Sequence, residues 1–163
     1  MESEKKMKNR KWYSLIDKVY SLPNLLESWY EVKANKGAGG IDKESIEAFG
    51  RKLNQNLLEL QRLLKEKRYN PSPVRQVLIP KPSSDKLRPL GIPTVRDRVV
   101  QQAIKRIIEP IFEVKFKDVS YGYRPSRGAR EAIQKCKEYI DSGYQWVVDA
   151  DIASFFDTVN HKL

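Results

Sequence analysis

Near the end of this 163-residue chain two acids stand two positions apart, Asp149 and Asp151, in the run WVVDADIASFFDTVNHKL from Trp146 to Leu163. Side chains on a β-strand repeat every two residues, so a strand built on Trp146, Val147 and Val148 would turn both carboxylates to one face. A carboxylate at the end of a buried strand is costly unless it is paired or metal-bound. Mg²⁺ takes one or two such groups together with phosphate oxygens. The chemistry on offer is metal-assisted work on a phosphate. Taken alone, an acid pair is more often a solvated turn after an ordinary strand, and context has to choose.

The cations form three further groups. Lys81 and Arg88 flank a polar turn, PSSDK, where an arginine would grip a phosphate through paired N–H donors and a lysine would act as a mobile point charge. NKGAGGID, residues 35–42, has a backbone left nearly bare by Gly37, Ala38, Gly39 and Gly40. It lacks the order of a nucleotide-binding P-loop. With Lys33 and Lys36 beside it, the loop either lies against a nucleic-acid backbone or is a flexible connector. YGYRPSRG, residues 121–128, mixes Arg124 and Arg127 with two tyrosines, the combination that stacks bases and holds phosphates of single strands. Each group also reads as ordinary surface or loop composition.

Helical periodicity supplies most of the elements that would position these groups. Trp12, Leu15, Ile16, Val19 and Tyr20 predict a short helix interrupted at Pro23. Leu25, Leu26, Trp29 and Val32 predict a second, capped by Asn24. From Lys43 onward Ile46, Phe49, Leu53, Leu57, Leu60 and Leu64 form one apolar stripe, predicting the longest helix, ending near Tyr69. Residues 74–93 change to two β-leaning runs around the polar turn, which predicts a hairpin. Thr94 and Asp97 suit the start of a helix with Val99, Val100, Ala103, Ile104, Ile107 and Ile108 on one side, its regular stripe ending at Pro110. Its other side carries Arg98, Gln101, Gln102, Lys105 and Arg106, a groove-lining or simply solvated face. Ser126 is expected to cap a last helix with the stripe Ala129, Ile133, Cys136 and Ile140, closed by Gly143 at C′.

With 31 Lys and Arg against 21 Asp and Glu, the net charge is +10, which calls for a polyanionic partner. No apolar run approaches the roughly 20 residues that span a bilayer, so nucleic acid is favoured over a membrane. The single cysteine, Cys136, excludes an internal disulfide and a zinc cluster and is expected to be a small buried hydrophobe in a reducing compartment. The sequence stops soon after His161 without a stop signal and reads as the start of a longer protein.

In order, NKGAGGID, IPKP with LRPLGIPTVRDRVVQQAI, YGYRPSRGAREAI and VDADIASFFDTVNH resemble the reverse transcriptases encoded in bacterial group II introns, which also act as maturases. The resemblance covers most of residues 33–163. It implies a helix-rich α+β fold, the fingers of a right-hand polymerase with a short β-hairpin and the first palm strand. The implied domains are a helical extension over 1–72 with the glycine-rich loop at 33–42, fingers over 73–143 with the hairpin at 74–93, and the start of the palm over 144–163.

The same resemblance makes Asp151 the first catalytic aspartate. With the Ile152 carbonyl it would hold two Mg²⁺ ions in the complete enzyme, leaving Asp149 without an assigned role. Lys81 and Arg88 would contact the triphosphate, although the turn between them is a residue longer than in some relatives. Ala153, Ser154 and Phe155 would line the nucleotide site, and the ring of Phe156 would exclude a ribose 2′-hydroxyl. Lys33, Lys36, Gly37, Gly39, Gln101, Arg124 and Arg127 are the candidate nucleic-acid contacts. The family's second catalytic motif, Tyr-Ala-Asp-Asp, is expected beyond Leu163, so the 163 residues alone should not polymerise. The implied partners are group II intron RNA as template, a DNA primer and deoxynucleotides, in the cytoplasm and away from membranes. Two rival readings are a non-catalytic RNA-binding module and a retron or CRISPR-associated reverse transcriptase.

Overall fold

A computed structural model describes residues 13–80, 87–153 and 155–160. Trp12, Lys81 and Ser154 lie outside the described residues, as does the side chain of Phe156. The chain divides into two compact units, Met1–Phe116 and Lys117–Leu163.

In the first unit the predicted helix before Pro23 forms only as a single turn, α1 (Ile16–Val19). Pro23 does not separate the next helix from what precedes it. It sits in the first turn of α2 (Leu22–Asn35), where a missing N–H costs no intrahelical bond. Ser21 is therefore the N-cap residue, and Asn24 has a different task. Its Nδ2 donates to the carbonyls of Val19 and Ala103, each at 3.1 Å, tying α2 to a helix 79 residues away in sequence.

The long helix expected after Lys43 is broken into α3 (Ile46–Arg51) and α4 (Leu53–Lys65). The break falls at Lys52, which leaves the helical conformation at φ −115° and ψ 28°. Phe49 is fully buried and stacks on Trp29 with ring centroids 5.1 Å apart, and Gly50 is hemmed in by the same indole, where a Cβ would come within 2.9 Å of Cζ2. Asn56 Nδ2 donates to the freed Phe49 carbonyl at 2.9 Å and so satisfies the end of α3.

The hairpin forms as predicted. β1 (Arg75–Pro80) and β2 (Leu87–Ile92) pair antiparallel with Arg75 opposite Ile92 and Ile79 opposite Arg88. Thr94 then caps α5 (Val95–Glu113) by accepting from the Asp97 N–H at 3.1 Å. α5, at 19 residues, is the longest described helix, and Pro110 lies inside it rather than ending it. A proline there removes one i→i−4 bond while the flanking bonds persist.

Leu25, Trp29 and Val32 of α2, Phe49 of α3, Leu57, Leu60 and Leu64 of α4, and Val95, Val99, Val100 and Ala103 of α5 make the core. Each set recurs at the spacing of one helix face, so the core is the meeting of four apolar stripes. Polar clamps align the two longest helices. Arg106 pairs with Glu31 and its Nε donates to Asn24 Oδ1 at 3.1 Å, while Gln102 donates to Glu31.

The second unit departs more from expectation. Gly128, not Ser126, precedes α6 (Ala129–Asp141), and Ser126 instead adopts a positive φ of 56°. No residue of α6 is buried, and Cys136 is exposed with Ile133 and Ile140 beside it. The described residues of this unit supply no second apolar layer to cover the stripe. The helix ends as predicted. Gly143, at φ 93°, donates to Ile140 O at 3.0 Å and Tyr144 donates to Tyr139 O at 3.1 Å, a Schellman ending. Trp146, Val147 and Val148 form no strand and are almost fully exposed. The predicted first palm strand is thus absent among the described residues, because backbone N–H and C=O groups become a strand only beside a paired neighbour. A short helix, α7 (Phe155–Thr158), follows.

Candidate nucleic-acid interface and metal-binding residues

The glycine-rich loop is set by its surroundings and is no slack connector. α2 ends where Lys36 turns to φ 56° and Gly37 to φ 113°, a conformation that side chains rarely tolerate. Farther on, a Cβ at Gly40 would lie 2.6 Å from the Thr94 Cα, so the loop backbone presses directly on the start of α5. The Asp42 carboxylate accepts from the Glu44 N–H at 3.1 Å and rounds off the turn.

Arg98, on the first turns of α5, fastens the other end. Its Nη1 donates to the Lys36 carbonyl at 3.2 Å and its Nη2 to the Ala38 carbonyl at 2.9 Å. Burial pulls the guanidinium pKa below its ordinary value, and the Asp42 carboxylate acts against that. The group stays cationic, as arginine does in proteins.

Between loop and helix lies an open cleft of about 330 Å³, with Val32, Asn35, Lys36, Arg98, Gln101 and Lys105 among its walls. Two predicted contacts, Lys36 and Gln101, meet here, both exposed. Gly37 and Gly39 follow Lys36 in the loop and Lys33 is exposed on the last turn of α2, and none of the three is among the cleft's wall residues. Lys105 pairs loosely with Glu109 at 3.5 Å, a solvated interaction that yields readily to a phosphate. The α5 face therefore divides. Arg98, Gln101 and Lys105 turn to the cleft, Gln102 lines it while donating to Glu31, and Arg106 is spent on the clamp to α2.

Arg88 is exposed on β2 of the hairpin. In the second unit Arg124 and Arg127 brace the YGYRPSRG loop. Arg124 Nη1 donates to the Lys117 and Ser120 carbonyls at 2.8 and 2.7 Å, and Arg127 donates to Asp118 and lies over the Tyr121 ring. Asp149, Asp151, Ile152 and Ala153 are exposed, and Phe155 opens α7 half-exposed. One oxygen of Asp151 accepts from the Ile152 N–H at 2.9 Å.

Among the described residues no three His, Cys, Asp or Glu groups converge as a metal cage. The donors present at residues 151 and 152, a carboxylate and a peptide carbonyl, are nevertheless the hard oxygens that Mg²⁺ prefers. They fit a site that is completed by phosphate and water.

Two features went unread in the sequence. Arg98 sat on a face predicted to be polar without a named partner. A bare glycine loop facing a helix start needs donors for its carbonyls, and that chemical need is the signal. Asp97 was read only as a cap partner. It is buried and also receives the Tyr69 hydroxyl, the Thr94 hydroxyl at 2.6 Å and the Ser72 N–H at 3.3 Å.

The family described as reverse transcriptase (RNA-dependent DNA polymerase) matches residues 79–163. Over 131 residues the chain is 44% identical to the protein YkfC of Escherichia coli (strain K12), covering 78% of this chain and 33% of that one. It is 37% identical over 136 residues to the group II intron-encoded protein LtrA of Lactococcus lactis subsp. cremoris, covering 82% of this chain and 22% of LtrA. The putative COX1/OXI3 intron 2 protein of Saccharomyces cerevisiae (strain ATCC 204508 / S288c) is 30% identical over 139 residues, 85% of this chain and 16% of its own. The chain therefore spans a third or less of the length of these relatives. No described helix is long and apolar enough to cross a membrane.

Proposed function

The chain belongs to the reverse transcriptase (RNA-dependent DNA polymerase) family, and on that footing we propose that in its natural full length it is the RNA-directed DNA polymerase of a group II intron, also assisting intron splicing and mobility. The observation that carries this reading is the family match across residues 79–163, which takes in the end of β1, all of β2, α5 and the VDADIASFFD run.

In this reading residues 1–72 are a helical extension, 73–143 the fingers and 144–163 the start of the palm. Asp151 and the Ile152 carbonyl would hold Mg²⁺, whose chemistry when bound is to acidify a primer 3′-hydroxyl and neutralise charge on the departing pyrophosphate. Lys81 and Arg88 orient the triphosphate. Ala153 and Ser154 leave room beside it, Phe155 lines the site, and Phe156 excludes the ribose 2′-hydroxyl. Lys33, Lys36, Gly37, Gly39 and Gln101 contact the nucleic-acid backbone, and Arg124 and Arg127 add positive charge to the loop they brace. Template RNA, DNA primer and deoxynucleotides are the partners, and the cytoplasm is the site of action.

Primer extension tests this. The natural full-length protein should extend a DNA primer on an RNA template with deoxynucleotides and Mg²⁺. A second reading, RNA binding without polymerisation, is favoured by the net charge of +10 and the basic cleft beside α5. Tight, salt-sensitive RNA binding with no extension would select it.

A further inference from the structure

We infer that Arg98 is a positioning residue for nucleic-acid binding: it locks the glycine-rich loop into the shape that the cleft presents to a phosphodiester backbone. The inference rests on the reading above that this cleft holds nucleic acid. Three observations carry it.

Arg98 reaches two carbonyls of the loop at once, those of Lys36 and Ala38, at 3.2 and 2.9 Å. These carbonyls flank Gly37, the loop's most extreme backbone at φ 113°. The contact is also close. A Cβ at Gly37 would meet Arg98 Nη1 at 2.9 Å, so a side chain there would push the guanidinium out of its place. Finally, Arg98 and the Lys36 it anchors line the same cleft as Gln101 and Lys105. The planar guanidinium has the fork that bridging two carbonyls demands, which an ammonium lacks. Turned toward those carbonyls, Arg98 works on the ligand through the loop, and Lys36 is the charge that meets the phosphate. Preorganisation of this kind raises affinity by removing the ordering cost from the binding step.

A positioning residue and a phosphate contact leave different marks on salt dependence. Each phosphate neutralised on a single strand contributes about 0.7 to the slope of log K against log salt. The test measures binding of a labelled oligouridine to the 163-residue chain across potassium chloride concentrations, at a temperature where each variant is shown by its melt to be folded. Lys36→Ala should weaken binding and make the slope shallower by about 0.7. Arg98→Ala should weaken binding about tenfold, the equivalent of one net hydrogen bond, with the slope unchanged. Arg98→Lys should behave like Arg98→Ala, and it carries the test if the alanine variant fails to fold. Gly37→Ala should reproduce the defect from the loop side, and the Arg98→Ala, Gly37→Ala double variant should be no worse than either single one.

A slope lowered by Arg98→Ala as much as by Lys36→Ala would make Arg98 a direct phosphate contact and overturn the inference. Unchanged affinity in folded Arg98→Ala and Arg98→Lys would overturn it too. Should Lys36→Ala and Lys105→Ala both bind as the native chain does, the cleft reading itself fails and the inference falls with it.

Discussion

Asp97 shows how much one buried carboxylate organises. It holds the Thr94 cap in place by accepting the Thr94 hydroxyl, and it takes the Tyr69 hydroxyl and the Ser72 N–H from the segment between α4 and the hairpin. Burial first, and then the hydrogen bond to Asp97, push the Tyr69 phenol pKa well above its ordinary value. The folded chain therefore keeps a proton that the unfolded chain releases above about pH 10. Stability is full below that pH and declines as pH rises further. Tyr69→Phe should cost about 1–3 kcal/mol at neutral pH, since Asp97 loses a partner in a buried site. It should also flatten the alkaline decline, which denaturant melts at neutral and alkaline pH will check. At Phe156 the prediction concerns chemistry. Phe156→Ala in the full-length enzyme should admit ribonucleotides, and extension assays with ribo- and deoxynucleotides in competition will read the change. The Thr94 cap was legible in the sequence because a cap and its partner lie three residues apart. Arg98 was not, because its acceptors lie 60 and 62 residues away and only the fold brings them together.

Glycines decide several of the elements. The run NKGAGGID announced a loop, and the structure adds why its glycines are needed: Gly40 passes so close to the Thr94 backbone that no side chain fits. Gly40→Ala should destabilise the first unit by about 1–3 kcal/mol through overpacking against backbone that cannot yield, and thermal melts will measure it. Gly50 is the counterpart that periodicity concealed. Ile46 to Leu64 is one unbroken apolar stripe in sequence, yet the helix divides at Lys52, two residues after Gly50, whose open side Trp29 fills. The hairpin was legible because its alternation and turn are local. Pro23 misled because a proline in the first turn of a helix costs no intrahelical bond and so need not end one.

At the scale of the whole molecule, charge and motif order were the most readable features. The net charge of +10 pointed to a polyanion, and four ordered blocks pointed to the family that the comparison places over residues 79–163. What could not be read was which stripes would be covered. Ile133, Cys136 and Ile140 have the spacing of a core face and stand exposed, and Trp146 to Val148 have the composition of a strand and pair with nothing described. Spacing tells which side chains share a face, whereas burial and pairing depend on a neighbour that spacing does not name. On the proposed function Asp151 belongs to a polymerase active site, and primer extension on RNA by the full-length protein carrying Asp151→Asn, beside a thermal melt, tests this directly. Asp151 is exposed and bonds only its neighbour's N–H at 2.9 Å among the contacts described, so the melt should move by no more than about 0.5 kcal/mol in stability. Extension should fall to background while the fold is kept; extension at the native rate in a folded Asp151→Asn protein would contradict the assignment of Asp151.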